Sequence, residues 1–489
     1  MKQSDEIFEI EELLNELTDE ESLEAQRDTS IGLLEPIDGD ADPDLRMQRL
    51  LYIPKSTLTA GQVINLIRRM LREINPVYID LAERTAYCAI KIFDYARVKN
   101  KMNLNIDRNA LILLSVLFTI GSYKPDFNMK DEDGNSMGSP KKMFLYSYLY
   151  LHHLSPLKDI AEAILFYNYN WQDAKKLNSP YIEYASLIFT CMRICIQLRK
   201  NHYVYTKRLF PQEFMDNCRK LYDPVFLEMF FEPELTEAIT KELRSNNSFY
   251  LLDEYCNSLQ LDYEESFSLL KMMLYSVDFI STSTVTHIIS TAFHATEIAR
   301  LEKLTDTETD ELFTAAILHD MGKMAIDLEI LESSGRLTDE QMAKMREHVK
   351  KGDELYRGIV GNKIADIASR HHENLDGSGY PYGLKGDDLT TQQRILSIAD
   401  VFSALTDART YKPSYPKEKT LSIMEDMVIK HKFDPVILTH VKANYDTIKN
   451  HTEIRRPMLT SNLGSVILDY MRLEDLESVP ELFDAIHNC

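Results

Sequence analysis

Glycine and proline are scarce in this chain, at 16 and 17 of 489 residues. That excludes a collagen-like or low-complexity protein and argues against a loop-rich β fold. A basic surplus is also missing: the formal charge is −22. Nucleic-acid polymers and anionic membranes both require a cationic footprint, so neither is an expected partner. A small anionic ligand remains compatible, because a metal or a few cations can invert the field locally. No CxxC pair occurs among Cys88, Cys191, Cys195, Cys218, Cys256 and Cys489. Cys191 and Cys195 sit one turn apart on an apparent helix and read as packed thiols. The most apolar run, "ALILLSVLFTI" (110–120), is too short for a bilayer and reads as a buried helix. Met1–Leu45 is acidic rather than basic-then-apolar, so no secretory signal is legible there. A reducing cytoplasm is the expected compartment.

A chain of this length, with a hydrophobic fraction of 44%, is expected to form two or three domains. Residues 1–45 carry sixteen carboxylates against two basic groups, a composition that resists compaction. Ile7, Ile10, Leu13, Leu14 and Leu17 recur at helical spacing, which allows a short amphipathic helix within a flexible tail. From about residue 60 the apolar periodicity is helical almost throughout, predicting an all-α fold.

The chain also repeats itself. "KLYDPVFLEMF" (220–230) matches "HKFDPVILTHV" (431–441), and "RTAYCAIKIFDYA" (84–96) resembles "STAFHATEIARLE" (290–302). "NALILLSVLFTIGSYK" aligns with "ELFTAAILHDMGKM", Gly121 falling on Gly322. "KDIAEAILFYNYNW" aligns with "NKIADIASRHHENL", and "ASLIFTCMRICIQL" with "QRILSIADVFSAL". Order and spacing agree, predicting two copies of one helical domain over 60–245 and 265–455, followed by a tail at 456–489. The copies differ where chemistry would sit. His319 and Asp320 face Phe118 and Thr119, His371 and His372 face Tyr167 and Asn168, and Asp400 faces Met192. The first copy is therefore expected to be metal-free, serving scaffolding, ligand sensing or homodimerisation.

The second copy carries "VTHIIS", "ILHDMGK", "REHVKKG", "SRHHENLDGSGYP" and "SIADVFSALTDARTYK". His287, His319, Asp320, His348, His371, His372 and Asp400 lie on five helical segments that could point into one cavity. Thr338 and Gln341 form a capping-box pattern opening the helix that leads to His348. Asp400, inside an apolar helix, would be costly to bury without a cation. Mixed imidazole and carboxylate ligands without thiolate suit iron, manganese, cobalt, zinc or nickel with open, water-filled positions. Asp320 is the natural bridge between two ions, which can clamp a phosphate and activate a water. Lys323, one turn on, could neutralise that phosphate or protonate a leaving oxygen. His294, two turns along from His287, reads as a satisfied core residue. The His152–His153 pair has nothing around it.

"HDMGK", "HHENLDGSGYP" and "IADVFSALTDARTYK" closely resemble the HD-GYP phosphodiesterases, a branch of the HD metal-dependent hydrolases. The resemblance covers about 265–450. It implies an all-α fold, a two- or three-metal centre, and cyclic di-GMP as substrate, opened by metal-activated hydroxide to linear pGpG and often GMP. By motif, His287, His319, Asp320, His348, His371, His372 and Asp400 become metal ligands, with Asp320 and Lys323 serving catalysis. Lys323, Arg409 and Lys412 become phosphate-binding cations, and Gly379, Tyr380 and Pro381 a lip beside the site. Three-metal members place a glutamate one turn before the first histidine, where this chain has Ser283. That favours two divalent ions. Thr410 and Ser403 replace a proline and an aspartate of the family pattern, leaving open whether cyclic di-GMP, cyclic GMP-AMP or another nucleotide is preferred. A module that binds a cyclic dinucleotide with little turnover is the alternative from another class.

Overall fold

The structure is a computed structural model. It describes residues 53–99, 105–123, 140–278, 282–331, 333, 337–407, 414–460, 463–476 and 478–487. The expected N-terminal helix, Arg409, Thr410, Lys412 and Cys489 lie outside these residues. The fold is all-α: among the described residues the only β pairings are isolated bridges, Arg357 with Val360 and Asp376 with Lys385. No described helix is long and apolar enough to cross a membrane.

Local chemistry accounts for the helix boundaries of the second half. Thr305 with Glu308, Thr338 with Gln341, and Thr390 with Gln393 each form a capping box. Each box satisfies two orphan amide donors at a helix start. The repeated Asp-Pro-Val reads physically as a cap as well. Asp223 accepts from the Val225 amide, and Asp434 from those of Val436 and Ile437, with proline opening each helix.

The two halves share their order of packing. Pro76–Val98 lies against Arg108–Leu117 and Ile182–Arg199, as Thr282–Leu301 lies against Asp306–Leu318 and Thr391–Thr406. Pro140–Leu154 covers the short turn Ile120–Tyr123, and Asp339–Tyr356 covers Met321–Ala325. Glycine is required in both turns. A Cβ on Gly121 would lie 2.4 Å from the Met143 carbonyl oxygen, and one on Gly322 only 1.9 Å from that of His348. The same close approach of a turn to a helix is thus built twice, and in the second half that helix carries His348.

Between the halves, Ala60–Ile74 docks on the second. Arg69 donates to the carbonyls of Leu355 (2.9 Å) and Arg357 (3.0 Å), and Gln62 to that of Ile359 (2.7 Å). These bonds satisfy backbone acceptors at and just beyond the C-terminus of Asp339–Tyr356. A cavity of about 210 Å³ remains in this seam, bordered by Arg69, Arg72, Lys351 and Glu354 among others.

The C-terminal residues are more than a tail. Tyr445–Thr460 runs through the expected boundary at 455, and Leu463–Leu473 and Val479–His487 follow as helices. Leu463–Leu473 packs on Pro140–Leu154 of the first half. His153 pairs with Asp469 (2.8 Å), Tyr146 meets Tyr470 edge-on (5.2 Å), and His487 pairs with Glu162 (3.0 Å). Apolar residues recur at helical spacing in both helices, at Val466, Tyr470 and Leu473 and at Leu482 and Ile486, a signal that the expectation of a tail passed over.

Tyr445–Thr460 is held to the second half by a buried ion cluster. Glu297 on Thr282–Leu301 pairs with Arg455 and with His451 (3.0 Å), and also meets Arg300 (2.8 Å). Burial alone would raise the Glu297 carboxyl, but His451, Arg455 and Arg300 outweigh it and hold it at about 2. Its contribution to stability is therefore present above its ordinary value near 4.5 and is lost as pH falls toward about 2. Replacing Glu297 by alanine strands a buried guanidinium and is expected to cost about 3 kcal/mol. Urea unfolding at pH 7 measures that loss. An unchanged midpoint would show the cluster to be neutral.

Candidate metal centre

Each histidine of the second half is presented by the end or the inner face of a helix. His287 lies in Thr282–Leu301, His319 caps the C-terminus of Asp306–Leu318, and His348 lies in Asp339–Tyr356. His371 and His372 follow Asn362–Ala368 in the turn beyond it, and Asp400 lies in Thr391–Thr406. His319, His348 and His371 share one local device. Each Nδ1–H donates to the carbonyl three residues earlier: Ala316 (2.6 Å), Met345 (2.7 Å) and Ala368 (2.7 Å). With Nδ1 committed as donor, Nε2 carries the lone pair, which is the form a metal needs.

The side chains converge as two sets. His287, His319 and Asp320 bring one ligand atom each within 4.8 Å of one another, and so do His348, His371 and His372. Asp320 spans them. Its Oδ2 faces His319 (3.3 Å) and His287 (3.6 Å), while Oδ1 faces His348 (3.5 Å). Asp400 spans them too: Oδ1 lies 2.9 Å from His287 and Oδ2 3.7 Å from His372. All seven expected ligands are therefore brought together. Lys323 joins them through an ion pair of 2.5 Å to Asp320.

The electrostatics fit a pair of cations. Burial would raise the Asp320 carboxyl, but Lys323 and His319 beside it hold it well below the usual range. Asp400 is likewise lowered against its burial, chiefly by His287 and then His372. Burial and then His372 push His371 down, and burial lowers His372 to about 4 and His348 below its ordinary value. His319 moves up, because Asp320 outweighs its burial. Two ionised carboxylates among mostly neutral imidazoles make a donor set for hard or borderline divalent ions. The Nε2 of His319 is buried without a hydrogen-bond partner, an orphan that a metal would satisfy.

His294 is separate, as its periodicity suggested: its Nδ1 bonds Ser403 (2.7 Å), and burial lowers it to about 3. Sequence reasoning did not single out Glu373. It is buried and accepts from the amides of Tyr382 (2.7 Å) and Leu384 (2.9 Å), pinning the loop that follows the histidines. The cost of burying a carboxylate, already applied to Asp400, was the signal that could have found it. That loop passes close beneath the motif: a Cβ on Gly379 would lie 2.4 Å from the Asn374 nitrogen. Tyr380 stacks near His372, with centroids 4.7 Å apart.

In the first half the corresponding space is filled with rings. Phe118 aligns in sequence with His319, and Tyr167 with His371. Phe118 stacks on Phe144 (6.0 Å), which lies 4.3 Å from Tyr167, and Phe189 closes the group at 5.4 Å from Tyr167. His152 and His153 lie elsewhere, on Pro140–Leu154.

Residues 259–437 match the HD domain family. The match takes in both ligand sets and the Gly-Tyr-Pro loop. The matched segment is similar to HD domains. Among curated relatives, the 3′3′-cGAMP-specific phosphodiesterase 1 of Vibrio cholerae is 26% identical over 317 residues, 60% of this chain and 72% of that protein. A second 3′3′-cGAMP-specific phosphodiesterase of V. cholerae is 32% identical, over 44% of this chain and 42% of its own length. The cyclic di-GMP phosphodiesterase response regulator RpfG of Xanthomonas campestris is 43% identical, over 25% of this chain and 33% of its own. The chain thus spans less than half the length of the latter two. A solved cyclic GMP-AMP phosphodiesterase of V. cholerae aligns at 16% identity, over 80% of this chain and 98% of its own, with a TM-score of 0.49.

Proposed function

We propose that this chain hydrolyses cyclic di-GMP to pGpG or GMP at the HD-GYP centre, with residues 60–245 as a metal-free copy of the domain. The observation that carries the reading is the division of Asp320, whose two oxygens face two separate histidine sets in a buried site. His287, His319, Asp320, His348, His371, His372 and Asp400 would hold two divalent ions, iron or manganese. Bound there, such ions supply Lewis acidity and a nucleophilic hydroxide at neutral pH.

The chain's own groups do the rest. Lys323, with 24% of its side chain exposed, stands at the solvent side of Asp320. From there it can neutralise the phosphate and hand a proton to the departing 3′-oxygen. Arg409 and Lys412 retain their expected role as phosphate-binding cations. The carbonyl-tied histidines need no reorientation as the site fills, so little ordering cost falls on binding. Tyr380 and its neighbours, anchored by Glu373, limit water at the rim. The rings of the first half leave that copy without ligands, which supports a scaffolding role.

A second reading keeps the chemistry and exchanges the substrate. Relatives named for 3′3′-cGAMP lie beside those named for cyclic di-GMP. Incubating the full chain with each cyclic dinucleotide, and resolving the products by chromatography, separates the two. Turnover of cyclic di-GMP at the higher kcat/KM supports the first, and turnover of 3′3′-cGAMP alone replaces it. Tight binding of either without hydrolysis would make the protein a sensor.

A further inference from the structure

We propose that Arg346 is a substrate-binding residue, taking the phosphate of the cyclic dinucleotide that does not sit at the metal ligands. The inference rests on the phosphodiesterase reading and adds a residue that no motif assigns. Arg346 lies two residues before His348 on Asp339–Tyr356 and is exposed. Its guanidinium carbon stands 5.2 Å over the Tyr380 ring, and that ring is 4.7 Å from the His372 ring. His372 is the histidine through which the site meets solvent: its side chain is 28% exposed, while those of His287, His319 and His348 are 5% or less. Arg346, Tyr380 and His372 therefore form one wall running from the ligands to the mouth.

The chemistry of that wall suits a phosphate. The cation–π contact with Tyr380 uses none of the guanidinium N–H donors, which stay available for a bidentate oxyanion contact. Among the described residues no carboxylate pairs with Arg346, whereas Lys323, Arg357 and Lys351 nearby each have one. A cyclic dinucleotide carries two phosphates, and the metal ligands can serve only one. In a chain of charge −22 the other needs cations too, and Arg346 supplies one from the opposite side of the motif to Arg409 and Lys412 in sequence. The wall is also held in advance of binding. Glu373 fixes the amides of Tyr382 and Leu384, and the Tyr380 amide donates to the His372 carbonyl (3.2 Å). Little is then spent on ordering it around the ligand.

The test compares the manganese-loaded full chain with Arg346→Ala and Arg346→Lys on cyclic di-GMP, 3′3′-cGAMP and bis(p-nitrophenyl) phosphate, a diester with a single phosphate. Arg346→Ala is expected to raise KM for the preferred cyclic dinucleotide by about 10- to 100-fold, the loss of a charged hydrogen-bonded pair. Its kcat on the small diester, metal content and melting temperature stay as in the parent. Arg346→Lys should recover part of the loss. If the parent hydrolyses a cyclic dinucleotide and Arg346→Ala matches it, or loses equally on the small diester, the role of Arg346 is overturned and the function stands. If the parent hydrolyses only the small diester, the proposed function falls and the role of Arg346 with it.

Discussion

Asp320→Ala is expected to lose at least about 1,000-fold in kcat/KM, and to lose bound metal with it. Several kcal/mol of Lewis-acid stabilisation depend on the ions, and each 1.36 kcal/mol is about tenfold in rate. Asp320 is fully buried, and its two oxygens reach both histidine sets, at 3.3 Å to His319 and 3.5 Å to His348. Removing it also leaves Lys323 without its partner beside imidazoles, which further weakens the site for cations. Elemental analysis of protein purified without chelator, beside the nucleotide assay, reads both effects. His294→Ala is the control: buried at a neighbouring position but bonded to Ser403, it should keep metal and activity. Full activity in a metal-depleted Asp320→Ala protein would sink the mechanism.

The second large effect comes from a residue with no side chain to offer a metal. Gly322→Ala places a methyl 1.9 Å from the His348 carbonyl oxygen and 2.3 Å from the Gly352 nitrogen. Both are backbone atoms of Asp339–Tyr356, so the helix itself must move. Overpacking of this kind costs about 2–3 kcal/mol. A displacement near 1 Å at the His348 end is expected to reduce kcat by about 100-fold. The matched variant is Gly121→Ala, whose Cβ would meet the Met143 carbonyl at 2.4 Å. It should lose comparable stability while metal content and kcat hold, because no ligand rides on Pro140–Leu154. Thermal melts with metal analysis on the pair decide the matter. Equal activity loss in both would mean that the glycines act only through folding.

The pair also shows how much the repeated sequence conveyed. Gly121 aligned with Gly322 by pattern alone, and the turns around them approach their covering helices in the same way. The seven candidate ligand positions stood out too, because imidazoles and carboxylates on apolar helices demand a partner wherever the helices lead. Capping boxes at Thr305, Thr338 and Thr390 fixed where those helices begin, from residues only three apart. These are local signals, and local chemistry writes them directly.

Other features depend on distances that periodicity does not carry. Which histidines share a set, and that Asp320 divides its oxygens between them, follows from how five helical segments cross. That Nδ1 of His319, His348 and His371 is tied to its own backbone is a rotamer choice made by packing. Glu373 became an anchor only once the loop folded back over it, and Arg346 only when Tyr380 was set between it and His372. Leu463–Leu473 found its partner in Pro140–Leu154, and Val479–His487 reached Glu162 and Phe166, all more than three hundred positions away in the chain. The amino-acid sequence by itself determined the helices, the repeated pattern and the candidate ligands, since each is written in neighbouring residues. The tertiary structure alone decided their pairing and the wall of the mouth, since those depend on the closure of distant segments around a common core.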